Sequence, residues 1–194
     1  MDININSTRN NIITYTHKFN SIWYASGIII FNNDLTKTII VKTPLGNIGF
    51  PKGGREKNER LHQTAYREVK EETSLKSFQY EHDNTIIGEK KGNPNKGPYT
   101  IYYFIAKIKD KETENIELKC SIPNELSFVN WVPIEEASNM LSNRRKEILL
   151  KAHNYITQKY NDHIIENIDN NIIDNIDNSI IDNIDNSIID NIKL

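Results

Sequence analysis

The sequence predicts an α/β layered domain followed by a low-complexity tail. Segments rich in β-branched and aromatic residues recur up to residue 132, and two helical segments lie well apart from each other. Strands and helices arranged in this way are typical of a sheet packed against helices. Near the end of the chain an eight-residue unit recurs as NIDNNIID, NIDNSIID and NIDNSIID. We therefore divide the chain into an N-terminal extension (1–19), a folded domain (20–160) and a repeat tail (161–194).

The composition of the tail separates it from the domain. Its isoleucines would form a local apolar stripe on a helix, but Asn and Asp are poor helix-interior residues. The period of eight also makes the stripe drift around the helix axis. We expect the tail to be disordered or weakly helical, and an oligomerisation helix is the alternative. The sequence predicts no particular oligomeric state.

Bulk properties restrict the class of protein. The 194 residues carry a formal net charge of -2, which argues against wholesale electrostatic binding to nucleic acid or to an anionic membrane. Cys120 is the single cysteine, so no intrachain disulfide is expected. The first residues lack the pattern of a secretory signal, and no apolar run approaches the ~20 residues of a membrane-spanning helix. We expect a cytoplasmic protein without a membrane partner.

The elements of the domain follow from local patterns in chain order. Alternating and β-branched runs predict strands, and the Gly- and Pro-rich segment 46–55 predicts a loop. The lysine-rich segment 90–98 predicts a second loop, which is basic. Strands are predicted at 21–31, 38–42, 85–89, 99–108 and 126–132, and helices at 59–75, with Asn58 as its N-cap, and at 135–160.

The helix predicted at 59–75 carries an unusual acidic cluster. At about 100° per residue, Glu68, Glu71 and Glu72 fall on one side and border the apolar sector. A solvated charged face is the alternative, but it favours acids opposite the apolar stripe and interleaved with basic residues. Three crowded carboxylates repel one another unless a cation compensates. The pattern therefore indicates a site for a hard divalent cation such as Mg²⁺ or Mn²⁺.

The same segment resembles the Nudix box, which would span Gly53–Leu75 here. The box has Gly, five residues, Glu, seven residues, Arg-Glu, an apolar residue, any residue, Glu-Glu, any residue, Gly and an apolar residue. Ser74 stands in place of the second Gly, and would cost about 1–2 kcal/mol if a left-handed conformation is kept there. The segments ASGIIIF and VNWVPIEEA also resemble family features. The residues in register are Gly53, Glu59, Arg67, Glu68, Val69, Glu71, Glu72 and Leu75.

The resemblance implies a Nudix-type α/β/α sandwich with a mixed central sheet. It also implies a Mg²⁺- or Mn²⁺-dependent pyrophosphohydrolase, in which water attacks a phosphoanhydride of a nucleotide-linked or inositol-linked polyphosphate. The implied metal ligands are Glu68, Glu72, Glu71 and the backbone carbonyl of Gly53. Glu59 and Arg67 resemble the family's orienting ion pair; a surface salt bridge is the alternative. Glu71 is also a candidate catalytic residue.

One further candidate lies outside the box. Glu125 precedes Trp131 in NELSFVNW, which resembles the late glutamate of messenger-RNA decapping relatives, a base or metal ligand there. An ordinary acidic loop residue is the alternative. Glu81 and Glu89 are weaker candidates for the same role.

Basic residues near the acidic cluster suggest a highly phosphorylated substrate. We expect a dinucleoside or diphosphoinositol polyphosphate. Capped RNA is an alternative substrate; residues 144–146 (Arg-Arg-Lys) are then a candidate RNA-facing patch, although we favour a solvated helix face for them. A Nudix-fold binding module without catalysis is an alternative to the enzyme. The candidate substrate-binding residues are Lys52, Arg55, Lys90 and Lys91.

Overall fold

A mixed β-sheet forms the centre of the protein. The computed structural model describes residues 12–14, 24–93, 97–162 and 165, so most of the predicted N-terminal extension and of the repeat tail lies outside the described residues. Within the described part, the strand order is β1-β6-β7-β2-β3-β4, with β5 also paired to β2 and β8 to β3. The strands are β1 Ile12–Thr14, β2 Tyr24–Phe31, β3 Lys37–Lys42, β4 Ile48–Gly49, β5 Lys52–Gly54, β6 Tyr80–Asn93, β7 Gly97–Ile108 and β8 Phe128–Pro133.

The central strand β2 is buried along its whole length, because both faces of the sheet are covered. It pairs in parallel with β7 and antiparallel with β5, whereas its register with β3 is limited to Phe31 opposite Thr38. β2 and β3 therefore pair only next to the turn that joins them. The other described pairings are antiparallel, and the prediction of a mixed sheet is confirmed.

Helices lie on both faces of this sheet. Helix α1 (Leu61–Thr73) packs on β2, β5 and β7. Its apolar side joins Ile28 and Ile30 of β2 in one core cluster. On the other face, Phe31 contacts the ring of His153 at 5.6 Å. His153 belongs to α3, which runs over residues 143–162. The α/β prediction is confirmed.

Several element predictions differ from the structure, and the segments predicted as loops, 46–55 and 90–98, contain β4, β5 and the adjoining ends of β6 and β7. Helix α1 begins two residues later than predicted, with Arg60 at the N-cap position, and Asn58 adopts a left-handed φ of 71°. The predicted 85–89 strand extends to Tyr80–Asn93, because its lysines continue to pair with β7. The single C-terminal helix is two helices, α2 (Ile134–Met140) and α3, separated at residues 141–142.

Within the part of the chain that the structure describes, no helix is long and apolar enough to cross a membrane. By backbone contacts the chain divides into two units, Met1–Asn154 and Tyr155–Leu194. The first unit contains the sheet, α1 and α2. The second contains the last described turns of α3.

Candidate active site

Two glycines allow the β5 loop to approach α1 and β2 very closely. A Cβ atom on Gly53 would lie 2.2 Å from the carboxylate atoms of Glu68, and one on Gly27 would lie 2.1 Å from the carbonyl oxygen of Pro51. Both distances are shorter than any van der Waals contact. The absence of a side chain at Gly53 therefore allows the Glu68 carboxylate to lie directly against the loop backbone.

Glu68 and Glu72 form a buried pair of acids at this junction. Only 6% of Glu68 and 4% of Glu72 is exposed. The backbone N–H of Lys52 donates a 2.8 Å hydrogen bond to Glu72 Oε2. Burial raises the pKa of Glu68, and burial raises the pKa of Glu72 to about 8, with the charges of Glu68 and Glu125 adding to the effect. Arg67 and Lys52 compensate the charge of the pair only in part, because burial outweighs their effect on both pKa values.

Arg67 connects the loop, the helix and the acidic pair. Its guanidinium donates to both oxygens of Glu59, at 2.7 and 3.0 Å, and to the carbonyl of Gly54 at 2.8 Å. It also donates to Glu68 at 2.7 Å and to Glu71 at 3.0 Å. A bidentate pair with further bonds to a backbone carbonyl is more constrained than an ordinary surface salt bridge. The structure thus places Arg67 and Glu59 as a clamp between loop and helix.

The environment of Glu59 keeps its carboxylate ionised. The hydrogen bond from Arg67 is the largest cause that lowers its pKa, to about 2, and bonds from the backbone of Glu56 and the hydroxyl of Thr64 add to it. Those two donors lie 2.9 Å from Glu59 Oε2. Glu59 and Glu72 therefore have opposite pKa shifts, although they belong to one loop–helix unit.

Glu71 is more exposed than Glu68 and Glu72. Its side chain is 31% exposed and is held by Arg67. Its carbonyl oxygen accepts a 2.7 Å bond from the N–H of Ser121 and a 3.1 Å bond from the Ser121 hydroxyl. Glu71 thus connects α1 to the segment that carries Glu125.

The segment 119–125 brings Glu125 toward the buried acids. Glu125 is half-buried, and its charge contributes to the raised pKa of both Glu68 and Glu72. The Cys120 sulfur lies 3.8 Å from Glu125 Oε2, within the range of a weak sulfur hydrogen bond. The structure therefore brings Glu125 within electrostatic range of the acidic pair.

Ser74 ends α1 in the left-handed conformation that its position predicts. Its φ is 65° and its ψ is 0°, and its N–H donates to the carbonyl of Lys70 at 3.0 Å. The side chain adds a bond that glycine does not offer, from the Ser74 hydroxyl to the carbonyl of Lys119 at 2.8 Å. This bond offsets part of the backbone cost expected for serine here.

The predicted substrate-binding residues lie along one end of the sheet. The Arg55 guanidinium lies over the ring of Tyr24, 5.2 Å from its centroid, and Nε donates to the Glu59 carbonyl at 2.9 Å. Tyr24 is opposite Thr100 of β7, which is opposite the exposed Lys90 of β6. Lys91 follows on the same strand, opposite Tyr99. The side chain of Lys52 is half-buried beside the Glu72 carboxylate.

Comparison with known proteins identifies the family. A sequence model of the NUDIX domain matches residues 23–152, more than half of the chain. The chain belongs to the Nudix family. No curated protein matched the chain in a separate search.

Solved structures share this Nudix fold at low identity. The chain is similar to a C. elegans Ap4A hydrolase in a binary complex, with a TM-score of 0.62 and 20% identity over 71% of this chain and 99% of that one. It is also similar to the NUDIX domain of Shewanella oneidensis NrtR complexed with ADP ribose, with a TM-score of 0.55 and 20% identity over 71% of this chain and 90% of that one. The chain is similar as well to the E. coli dihydroneopterin triphosphate pyrophosphohydrolase, with a TM-score of 0.51 and 14% identity over 65% of this chain and 91% of that one. At these identities the likeness shows the fold alone.

A buried charged network in this Nudix domain was not expected from the sequence. Glu89, 1% exposed, accepts bonds from the Tyr103 hydroxyl at 3.0 Å and from Arg145 Nε at 3.4 Å. Arg145 also donates to the carbonyl of Ile48. The idea that Arg145 belongs to an RNA-facing patch is therefore wrong, because its side chain is buried at the sheet. Helical spacing could have predicted the burial of Arg145, because Ile148, Leu149 and Ala152 follow it at three, four and seven residues and are buried on the same side of α3.

The donor chemistry at the box fits a hard divalent cation. Glu68 and Glu72 offer carboxylate oxygens in a buried setting where a cation would offset their raised pKa values. Over the described residues, no three His, Cys, Asp or Glu side chains have their donor atoms already gathered into one cation-sized set. Arg67 Nη1 bonds both Glu68 and Glu71, but the Glu71 side chain is more exposed and does not lie in the same buried setting. We therefore regard Glu68 and Glu72 as the primary candidates among the predicted ligands, with Gly53 and Glu71 next.

Proposed function

We propose that this Nudix protein is a pyrophosphohydrolase that depends on Mg²⁺ or Mn²⁺ and cleaves a phosphoanhydride bond in a small polyphosphate. The observation that carries the proposal is the pair of buried carboxylates, with Glu68 against the backbone of Gly53 and Glu72 bonded to the N–H of Lys52. Two buried acids without a full complement of positive charge are costly for stability. Such an arrangement is typical of a functional site.

The residues of the chain support this chemistry in distinct ways. Glu68 and Glu72 would hold the cation, together with the carbonyl of Gly53. A bound divalent cation supplies positive charge for the phosphate oxygens and lowers the pKa of a coordinated water. Arg67 and Glu59 keep the loop and helix in register. Glu125 is our first candidate to accept the proton of the attacking water, and Glu71, whose side chain is held by Arg67, is the second.

A small polyphosphate fits the distribution of basic residues. Arg55 and Lys90 form a short basic row at one end of the sheet, and Lys91 follows Lys90 along β6, whereas the whole chain is weakly acidic. RNA normally requires an extended positive track, and Arg145 is not available for one because it is buried. One similar structure is an Ap4A hydrolase and another is a complex with ADP ribose, and both names support a nucleotide substrate. Dinucleoside and diphosphoinositol polyphosphates both remain within the proposed substrate class.

Capped RNA is the second candidate substrate, and one observation favours it. The charge of Glu125 acts on Glu68 and Glu72, as the resemblance to decapping relatives predicts for that position. The basic row of the sheet would then contact the phosphates of the cap.

A substrate panel separates these possibilities. The purified chain would be assayed at fixed Mg²⁺ and salt with diadenosine polyphosphates, a diphosphoinositol phosphate, nucleoside triphosphates and capped RNA. We expect hydrolysis of the diadenosine or diphosphoinositol compounds in preference to capped RNA. Release of a capped nucleoside diphosphate from RNA, with the small polyphosphates untouched, would favour decapping. Binding of a diadenosine polyphosphate, measured by calorimetry, without turnover of any compound in the panel would favour a binding module.

A further inference from the structure

We propose that Ser74 is a positioning residue for hydrolysis: its hydroxyl anchors the segment 119–125 to the end of α1 and thereby holds Glu125 within electrostatic range of Glu68 and Glu72. The inference rests on the proposed function for its catalytic consequence. It concerns the one position where the chain departs from the Nudix box, so the resemblance itself assigns no role to the hydroxyl.

The anchor consists of consecutive contacts between the last turn of α1 and the segment. The Ser74 hydroxyl donates to the carbonyl of Lys119 at 2.8 Å. The N–H of Lys119 donates to the carbonyl of Thr73 at 3.4 Å, and that of Ser121 to the carbonyl of Glu71 at 2.7 Å. These carbonyls belong to the last turn of the helix, where intrahelical partners are missing. The segment therefore caps α1 by donating to its carbonyls, and Ser74 adds a hydrogen bond that the end of the helix donates to the segment.

The same segment then turns and presents Glu125. Asn124 adopts a left-handed φ of 63°, and the N–H of Glu125 bonds the carbonyl of Ile122 at 3.4 Å. Cys120 lies between the two anchored residues, Lys119 and Ser121, and its sulfur faces Glu125 at 3.8 Å. A shift of the anchored backbone would therefore move Glu125. Small displacements of a catalytic group are costly in rate.

Two substitutions separate the hydroxyl from the backbone conformation. Ser74→Ala removes the hydroxyl and retains a side chain at φ 65°, whereas Ser74→Gly removes the hydroxyl and relieves the backbone. We expect both variants to lose about tenfold in kcat with little change in KM. Their melting temperatures should differ, with Ser74→Gly above Ser74→Ala. Ser77→Ala, an exposed serine just beyond α1, is the matched control and should match the wild type in kcat.

A kcat that changes in parallel with the melting temperature of the variants would contradict the positioning role. Normal turnover in Ser74→Gly, with a loss only in Ser74→Ala, would assign the effect to backbone strain and overturn the positioning role.

Amide hydrogen exchange tests the anchor independently of turnover. The N–H groups of Lys119 and Ser121 should exchange at least about tenfold faster in both variants than in the wild type, with the sheet unaffected. Unchanged exchange there would overturn the anchor even if the protein is an active hydrolase. Conversely, altered exchange in a protein that hydrolyses no polyphosphate would retain the anchor and overturn the proposed function, and with it the catalytic consequence.

Discussion

At the scale of single residues, one loop–helix unit shifts the pKa values of two glutamates in opposite directions. Hydrogen bonding to Arg67 lowers the pKa of Glu59 to about 2, while burial raises the pKa of Glu72 to about 8. Glu59 thus contributes to stability when ionised. Glu72 is best accommodated in its protonated form, or with a cation beside it.

The stability of the metal-free protein should depend on pH in a specific window. The folded state holds the Glu72 proton up to about pH 8, whereas an unfolded glutamate releases it near 4.5. Between these values the folded state binds more protons, so the free energy of unfolding falls as pH rises. In a chelating buffer we expect the melting temperature to decrease from pH 5 to pH 8, and Mg²⁺ to restore it most at the upper end.

Glu72→Gln is the control for this effect, because glutamine does not titrate. Its melting temperature should vary much less over the same range. An equal slope in Glu72→Gln and wild type would assign the pH dependence to other groups. Glu59 does not contribute in this window, since its stabilisation is lost only as pH falls below about 4.5 toward 2.

At the scale of elements, the contact between β5 and α1 assembles the site. β5 pairs with β2 through Gly53 opposite Ser26, and α1 rests on both strands. Arg67 and Glu59 then fix the helix to the loop. The box residues are therefore close in space because three elements meet, although they are spread over Gly53–Leu75 in sequence.

Gly53→Ala should disrupt this contact. Its new Cβ would lie 2.2 Å from the Glu68 carboxylate, so either the carboxylate or the loop must move. We expect a loss of about 1–3 kcal/mol in the free energy of unfolding and a marked fall in kcat, measured by chemical denaturation and steady-state kinetics. Gly88→Ala is the matched control, because its nearest atom is Thr100 Cγ2 at 3.7 Å. Comparable losses in both variants would indicate a general glycine effect instead.

At the scale of the whole molecule, the Nudix box and the family could be predicted from the sequence, whereas the strand pairing could not. The box could be recognised because Gly53, Glu59, Arg67 and the glutamates have a fixed spacing along one loop and helix. The dominant partner of β2 could not be predicted, because parallel pairing with β7 joins residues about 76 positions apart. The pairing of Arg145 with Glu89 was also missed, because the two residues lie 56 positions apart on different elements.

The repeat tail offers a testable prediction at the scale of the whole molecule. We propose that it contributes little to the folded domain, because its Asn- and Asp-rich units carry few groups suited to a packed core. Ending the chain after Tyr160 should leave the melting temperature and turnover nearly unchanged. Aggregation of the truncated chain, or a changed oligomeric state by light scattering, would show that the isoleucine stripe is packed in the full-length protein.

The central claim is that the buried acids of the box support Mg²⁺-dependent hydrolysis, and a kcat comparison tests it most directly. Glu72→Gln retains the shape of the side chain and removes its charge. Glu136→Gln, on the exposed first turn of α2, is the matched control. With the preferred polyphosphate and Mg²⁺, we predict a loss of about 100-fold or more in Glu72→Gln, a normal rate in Glu136→Gln, and folded protein in both. A near-normal rate in Glu72→Gln would contradict the assignment of the site.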